Sequence, residues 1–195
     1  PRSPYGVAKL YGFWIIKNYR EAYNLFACNG ILFNHTSPRR GENFVEKKIV
    51  DSLTRIYLGV DEVLTLGNLN AKRDIGHARE YVEGMWRMLQ QESPEDYCLA
   101  TGKTYSIREI VEMVGEILGM KIGWSGEGLN ETGTCLLRKK EIVKIDEKYF
   151  RPSEVDLLVG DPSKAERELG WKAKMDLREI LEEMINEKLN SYATG

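Results

Sequence analysis

Tyr5 and Lys9 stand four residues apart near the start of a 195-residue chain. On a helix that spacing puts both side chains on one face, one turn apart. A phenol titrates near about 10, and a neighbouring ammonium favours the phenolate. A phenolate so placed can take the proton of a sugar hydroxyl while hydride leaves the same carbon. The spacing is common by chance, and a surface Tyr and Lys satisfy it equally well. Arg39 and Arg40 offer adjacent guanidinium forks suited to phosphate. Arg73 and Arg151 each open a patterned segment, RDIGH and RPSEVD. A diphosphate needs charge-assisted donors of that kind. Lys48 falls just inside an expected helix start, where anions are favoured. By pattern alone, solvated arginines and ordinary capping explain these residues as well. Asp74 and His77 read as structural groups holding the Arg73 loop. The chain has two histidines, no HxxxH or HExxH, and Cys28, Cys98 and Cys135 at wide spacing. Neither a metal site nor a disulfide framework follows, and free thiols in a reducing compartment are expected.

These residues need elements to position them. PYGVAKLYGFWIIKNYREAYNLF reads as one long helix, with Leu10, Phe13, Trp14, Ile15 and Ile16 as a buried stripe. Asn29 and Gly30 close it. Ile31 to Asn34 is a short buried strand feeding a polar loop, His35 to Asn43. A second helix is expected from Phe44 to Leu58, a strand over Val63 to Leu66, and then a loop, GNLNAKRDIGH. The next helix, Ala78 to Gln91, carries Tyr81, Val82, Met85, Trp86 and Leu89 as a core stripe. Tyr97 to Ala100 is a strand. Ser106 and Glu109 fit a capping box that opens a helix over Ile107 to Leu118, stopped at Gly119. Residues 121–150 are strand-like and irregular. Asp161 and Pro162 open another helix that stops at Gly170, and Asp176 starts the last one. Strands alternating with helices predict an α/β class.

The 28 Lys and Arg balance 30 Asp and Glu, a net charge of −2, which argues against a nucleic-acid or anionic-membrane binder. No apolar run is long enough to span a bilayer, and no leader opens the chain, so a cytoplasmic protein is expected. The glycines are scattered, and no GxGxxG occurs to cradle a dinucleotide pyrophosphate.

The segments RSPYGVAK, GILFNHTSPRRGENFVEKKI, LGNLNAKRDIGHAREYVEGMW, YFRPSEVD and DPSKAERELGW form a chain-long series. Together they closely resemble the GDP-mannose 4,6-dehydratase family of extended short-chain dehydrogenase/reductases. The resemblance implies the C-terminal part of a Rossmann-type NADP-binding domain plus a smaller α/β nucleotide-sugar-binding domain. Residues 1–35 would be the last helix and strand of the first. Residues 36–195 would be mainly the second, with segments crossing back. The implied reaction turns GDP-D-mannose into GDP-4-dehydro-6-deoxy-D-mannose through transient C4 oxidation with NADP, water loss across C5–C6 and hydride return to C6. Tyr5 would be the base and Lys9 would hold the cofactor ribose, with His35 and Arg40 also on the cofactor. Asn34, Asn43, Phe44, Val45, Lys48, Arg73, Arg151 and Glu154 would hold the substrate. A homodimer or homotetramer is implied, with the first helix pairing across a two-fold and the Arg39-Arg40 loop reaching a neighbouring subunit. In such enzymes the glycine-rich loop and the catalytic Thr and Glu precede the Tyr. The chain therefore reads as part of a longer protein, inactive alone. A 4-epimerase, a 4-keto reductase or a non-catalytic GDP-sugar-binding module are the alternatives.

Overall fold

The computed structural model describes residue 1, residues 3–150 and residues 155–193. The first helix, α1, runs Pro4–Tyr23. Ser3 caps it by accepting the Gly6 N–H at 3.0 Å, and Pro4 needs no donor partner in the first turn. It ends three residues earlier than expected, because Asn24 takes a left-handed conformation (φ 50°). The expected buried stripe is not buried: α1 has no buried residue, and Leu10 and Trp14 lie in the open. Its ties to the rest run through polar groups. Arg20 grips Asp96 at 2.7 and 3.1 Å and the Ala27 carbonyl at 3.0 Å. The Asn29 amide donates to the Phe13 carbonyl at 3.2 Å.

The expected strand near residue 31 is two strands, β1 (Gly30–Leu32) and β2 (Asn34–Thr36). β1 pairs in parallel with β5 (Tyr97–Leu99). β2 pairs in parallel with β4 (Lys72–His77), setting His35 opposite Gly76. Residues 72–77 were expected as loop and form a strand instead. Asp74 and His77 are buried against polar partners, so no apolar alternation betrays the strand. The N-terminal half of β4 also pairs with β6 (Thr104–Ser106), antiparallel, and with β10 (Leu157–Leu158), parallel. A second sheet joins β3 (Leu64–Leu66) in parallel to β9 (Lys140–Ile145). It continues antiparallel through β8 (Thr132–Cys135) to β7 (Ile122–Ser125).

Three helices pack on these strands: α2 (Val45–Tyr57), α4 (Ile107–Ile117) and α6 (Leu177–Ala193). Ile49, Val50 and Leu53 meet Ile110, Val111 and Val114, and Ile180, Leu181 and Met184 close the larger core. The capping box of α4 is present as expected. The Glu109 N–H donates to Ser106 Oγ at 3.2 Å, and Ser106 N–H to Glu109 at 2.7 Å. Asp176 and Glu179 cap α6 by the same exchange. A smaller core joins α3 (Ala78–Met88) and α5 (Ser163–Leu169) to β5 through Tyr81, Leu99, Leu169 and Trp171. Only part of the α3 stripe is core, since Val82, Trp86 and Leu89 are exposed. Pro162 rather than Asp161 occupies the cap position of α5, with Asp161 accepting the Ser163 N–H at 2.9 Å.

Candidate functional site

The candidate residues fall into four groups. On α1 the Lys9 ammonium lies 5.5 Å from the Tyr5 ring centroid, as the one-turn spacing requires. Tyr5 is 72% exposed and Lys9 is exposed too, so the pair presents an open polar face.

On β2, Asn34 and His35 are half-buried. His35 Nδ1 lies 2.9 Å from the Phe33 carbonyl. A carbonyl only accepts, so Nδ1 donates, and in the neutral ring Nε2 is left as the acceptor. The ring packs 5.0 Å from that of Tyr81. Burial pushes the Tyr81 phenol well up, and its buried hydroxyl has no hydrogen-bond partner among the described residues.

The loop after β2 turns through an Arg40 N–H to Ser37 carbonyl bond of 2.9 Å and enters α2 at Phe44. The Arg40 guanidinium lies 3.7 Å above the Phe44 ring and 3.8 Å from the carboxylate of Glu46, which is 1% exposed. Arg39 and Asn43 are exposed, and Val45 packs on the larger core. Phe44 supplies no side-chain cap, so the first amides of α2 lack that partner. Four residues on, Lys48 donates to the Thr65 carbonyl at 2.6 Å and sits 3.6 Å over the Tyr149 ring. Lys48, with Lys148 behind it, holds the Tyr149 phenol below its ordinary range. Arg40 and Phe44 thus stand at the uncapped start of α2, with the Glu46 carboxylate beside Arg40, and Lys48 lies in its first turn.

On β4, the Arg73 guanidinium donates to the carbonyls of Lys72 at 2.9 Å and Val155 at 2.6 Å. The Lys72 N–H donates to the Asp156 carbonyl at 2.8 Å, and Leu158 pairs with Arg73 in β10. Val155 and Asp156, the described end of the second arginine motif, thus meet Lys72 and Arg73 on one strand edge. Arg151 and Glu154 lie outside the described residues.

Sequence reasoning missed Glu46 and Tyr149. Glu46 looks like any first-turn carboxylate. Tyr149 is two residues before Arg151, inside a segment already notable for its pattern, and that proximity was the available signal. No cluster of metal-ligating side chains occurs among the described residues.

A sequence profile described as GDP-mannose 4,6 dehydratase matches residues 1–184. The chain belongs to that family. Among its relatives is a GDP-mannose 4,6 dehydratase of Dictyostelium discoideum, 55% identical over 195 residues, covering all of this chain and 55% of that protein. The GDP-mannose 4,6-dehydratase of Sinorhizobium fredii is 56% identical, again over all of this chain and 55% of its own length. The chain spans about half the length of the curated relatives it matches. Among solved structures, RMD from Pseudomonas aeruginosa complexed with NADPH superposes with a TM-score of 0.78 at 17% identity, over 97% of this chain and 57% of its own. That likeness is one of fold, a mixed α/β arrangement with parallel strand pairs.

Proposed function

We propose that this chain is the substrate-side part of an enzyme that dehydrates GDP-D-mannose to GDP-4-dehydro-6-deoxy-D-mannose. The observation that carries the reading is the Tyr5–Lys9 pair standing on one open helix face in a chain whose family match begins at residue 1. Tyr5 Oη takes the proton of the C4 hydroxyl as C4 is oxidised. Lys9 stays beside it, stabilising the phenolate and offering ammonium donors to a ribose diol. That exposed donor set would hold the ribose of NADP, which would supply reversible hydride acceptance between C4 and C6. His35 and Arg40 would contact the same cofactor. Asn34, Asn43, Phe44, Val45 and Lys48 hold the nucleotide at the start of α2, and Arg73, with Arg151 and Glu154, holds the diphosphate and ribose. The smaller core packs Cys28 and Leu32 against α3, β5 and α5, which supports segments of 36–195, otherwise mainly the substrate domain, crossing back to a cofactor domain that includes residues 1–35. The exposed aromatic face of α1 supports pairing with a second copy of the chain, and the exposed Arg39 supports a reach to a neighbouring subunit.

The test is to incubate the full-length protein with GDP-mannose and NADP and follow the sugar nucleotide by mass spectrometry. Loss of one water, with no net change in nicotinamide absorbance, is the expected result. An epimerised sugar of unchanged mass, or stoichiometric NADPH formation, would assign another reaction of the same scaffold. The 195 residues by themselves are expected to show no turnover.

A further inference from the structure

Asp74 sits in β4 beside Arg73, fully buried, and its carboxylate accepts four hydrogen bonds. Oδ1 takes the Thr101 N–H at 2.9 Å and the Thr101 hydroxyl at 2.7 Å. Oδ2 takes the Gly102 N–H at 2.9 Å and the Gly160 N–H at 3.1 Å. None of these donors belongs to β4. Two separate stretches of chain, 101–102 and 155–160, therefore close on one side chain. A buried carboxylate is tolerated only when its lone pairs are met, and here each oxygen meets two donors.

The second stretch bears directly on Arg73. It leaves Gly160, passes through the β10 pairing of Leu157 with Lys72 and Leu158 with Arg73, and ends at the Val155 carbonyl that accepts from the Arg73 guanidinium. Gly160 packs so close to Ala100 and Phe33 that a side chain there would overlap both. The segment is thus pinned at one end by Asp74 and at the other by Arg73 itself.

We propose that Asp74 is a positioning residue for nucleotide-diphosphate recognition. It acts through residues 155–160 to hold the Arg73 guanidinium in one orientation on the strand edge. The inference rests on the proposed function, in which Arg73 binds the diphosphate. An amide in place of the carboxylate would turn an NH2 group toward backbone N–H donors, so Asp74→Asn loses acceptors and adds a donor–donor clash. Asp74 does not touch the reacting sugar in this reading, so its loss falls on binding.

The experiment uses the full-length protein as wild type, Asp74→Asn and the milder Thr101→Val, which removes the hydroxyl that donates to Asp74 and accepts the Lys103 N–H and keeps the backbone donor. GDP affinity is read by calorimetry, KM and kcat with GDP-mannose, and amide hydrogen exchange at residues 157–160. Asp74→Asn is expected to raise both the GDP Kd and the KM about tenfold, with kcat changed by less than about threefold. Thr101→Val should move the same quantities in the same direction by about two- to threefold. Exchange should quicken at 157–160 and hold steady in β8 and β9. Faster exchange with unchanged Kd and KM would reduce Asp74 to a structural role and overturn the proposal. So would equal losses in kcat and kcat/KM. If Asp74→Asn does not fold, Thr101→Val decides by the same criteria. A wild-type protein that fails to bind GDP sinks the proposed function and this inference together, whereas normal wild-type binding with unmoved variants sinks the inference alone.

Discussion

The first helix and the three-helix core are held by different forces. In the core, Ile49, Val50, Leu53, Ile110, Val111 and Val114 are wholly removed from water, and apolar burial fixes α2 against α4 and α6. In α1 no residue is buried, and two polar grips, Arg20 on Asp96 and Asn29 on Phe13, tie the helix down. The pair of side chains able to move a proton sits on the loosely held element. The groups suited to grip an anion sit on the rigid one. Under the proposed function, changes to Tyr5 and Lys9 fall on rate, and changes in the three-helix core fall on folding. Perturbing each region should therefore separate rate from folding.

The largest expected effect is on rate alone. Tyr5→Phe deletes the hydroxyl of an exposed residue and should lower turnover of the full-length protein by about 10²- to 10⁴-fold. Its denaturant midpoint should stay within about 0.5 kcal/mol of wild type. Steady-state assay with GDP-mannose and urea unfolding on one preparation would check both halves. A rate within threefold of wild type would remove Tyr5 from the chemistry and with it the catalytic meaning of the contrast.

The converse prediction concerns Leu53. Leu53→Ala empties space between α2 and its neighbours and should cost about 2–5 kcal/mol in urea unfolding. The surrounding core is close-packed, so relaxation recovers little of that loss. A cost below about 1 kcal/mol would show that the core collapses around the gap and is less rigid than its burial implies.

How far the sequence reveals this division depends on the kind of evidence each element carries. Caps are local, and the Ser106–Glu109 and Asp176–Glu179 exchanges and the helix stop at Gly170 follow from adjacent residues alone. Strand β4 was illegible because Asp74 and His77 resemble loop residues. They are buried only because Thr101, Gly102 and Gly160 meet Asp74, and because His77 lies 2.9 Å from Glu183. Those partners are distant in sequence, so periodicity cannot report them. The stripe on α1 is legible in the sequence but its cover is not, since an apolar face states a need for cover and not which chain supplies it. At the site, the Tyr5–Lys9 spacing is enough to place both side chains on one helix face. The Lys48–Tyr149 contact has no such local signal, because it joins residues a hundred positions apart.

The grip between α1 and the rest should show its own pH dependence. Burial pushes the Asp96 carboxyl up, but bonds from Arg20 and the Asn29 N–H outweigh it and hold it below the usual carboxylate range. The unfolded chain then binds the proton at higher pH than the folded one. Asp96 therefore contributes stability that is present above its unfolded value of about 4 and is lost as pH falls through the lower folded value. Arg20→Ala breaks a pair whose side chains are only 17% and 22% exposed, and should cost about 1–2 kcal/mol at neutral pH. The variant should also lose part of the decline seen between about pH 5 and 2. Equal acid slopes in variant and wild type would place the grip elsewhere.

The smallest expected effect sharpens the contrast most. Trp14 is 55% exposed in the middle of the unburied stripe. In dilute full-length protein, Trp14→Ser should shift stability by no more than about 0.5 kcal/mol if the stripe faces water. A loss of about 2 kcal/mol that grows with protein concentration would mean a second copy covers the helix, because burying an aromatic face restores the apolar transfer term and association adds mass action. The same loss independent of concentration would mean another part of the same polypeptide covers it. Urea midpoints measured over a hundredfold range of concentration distinguish the three cases. Each assigns a different cover to the helix that carries Tyr5 and Lys9.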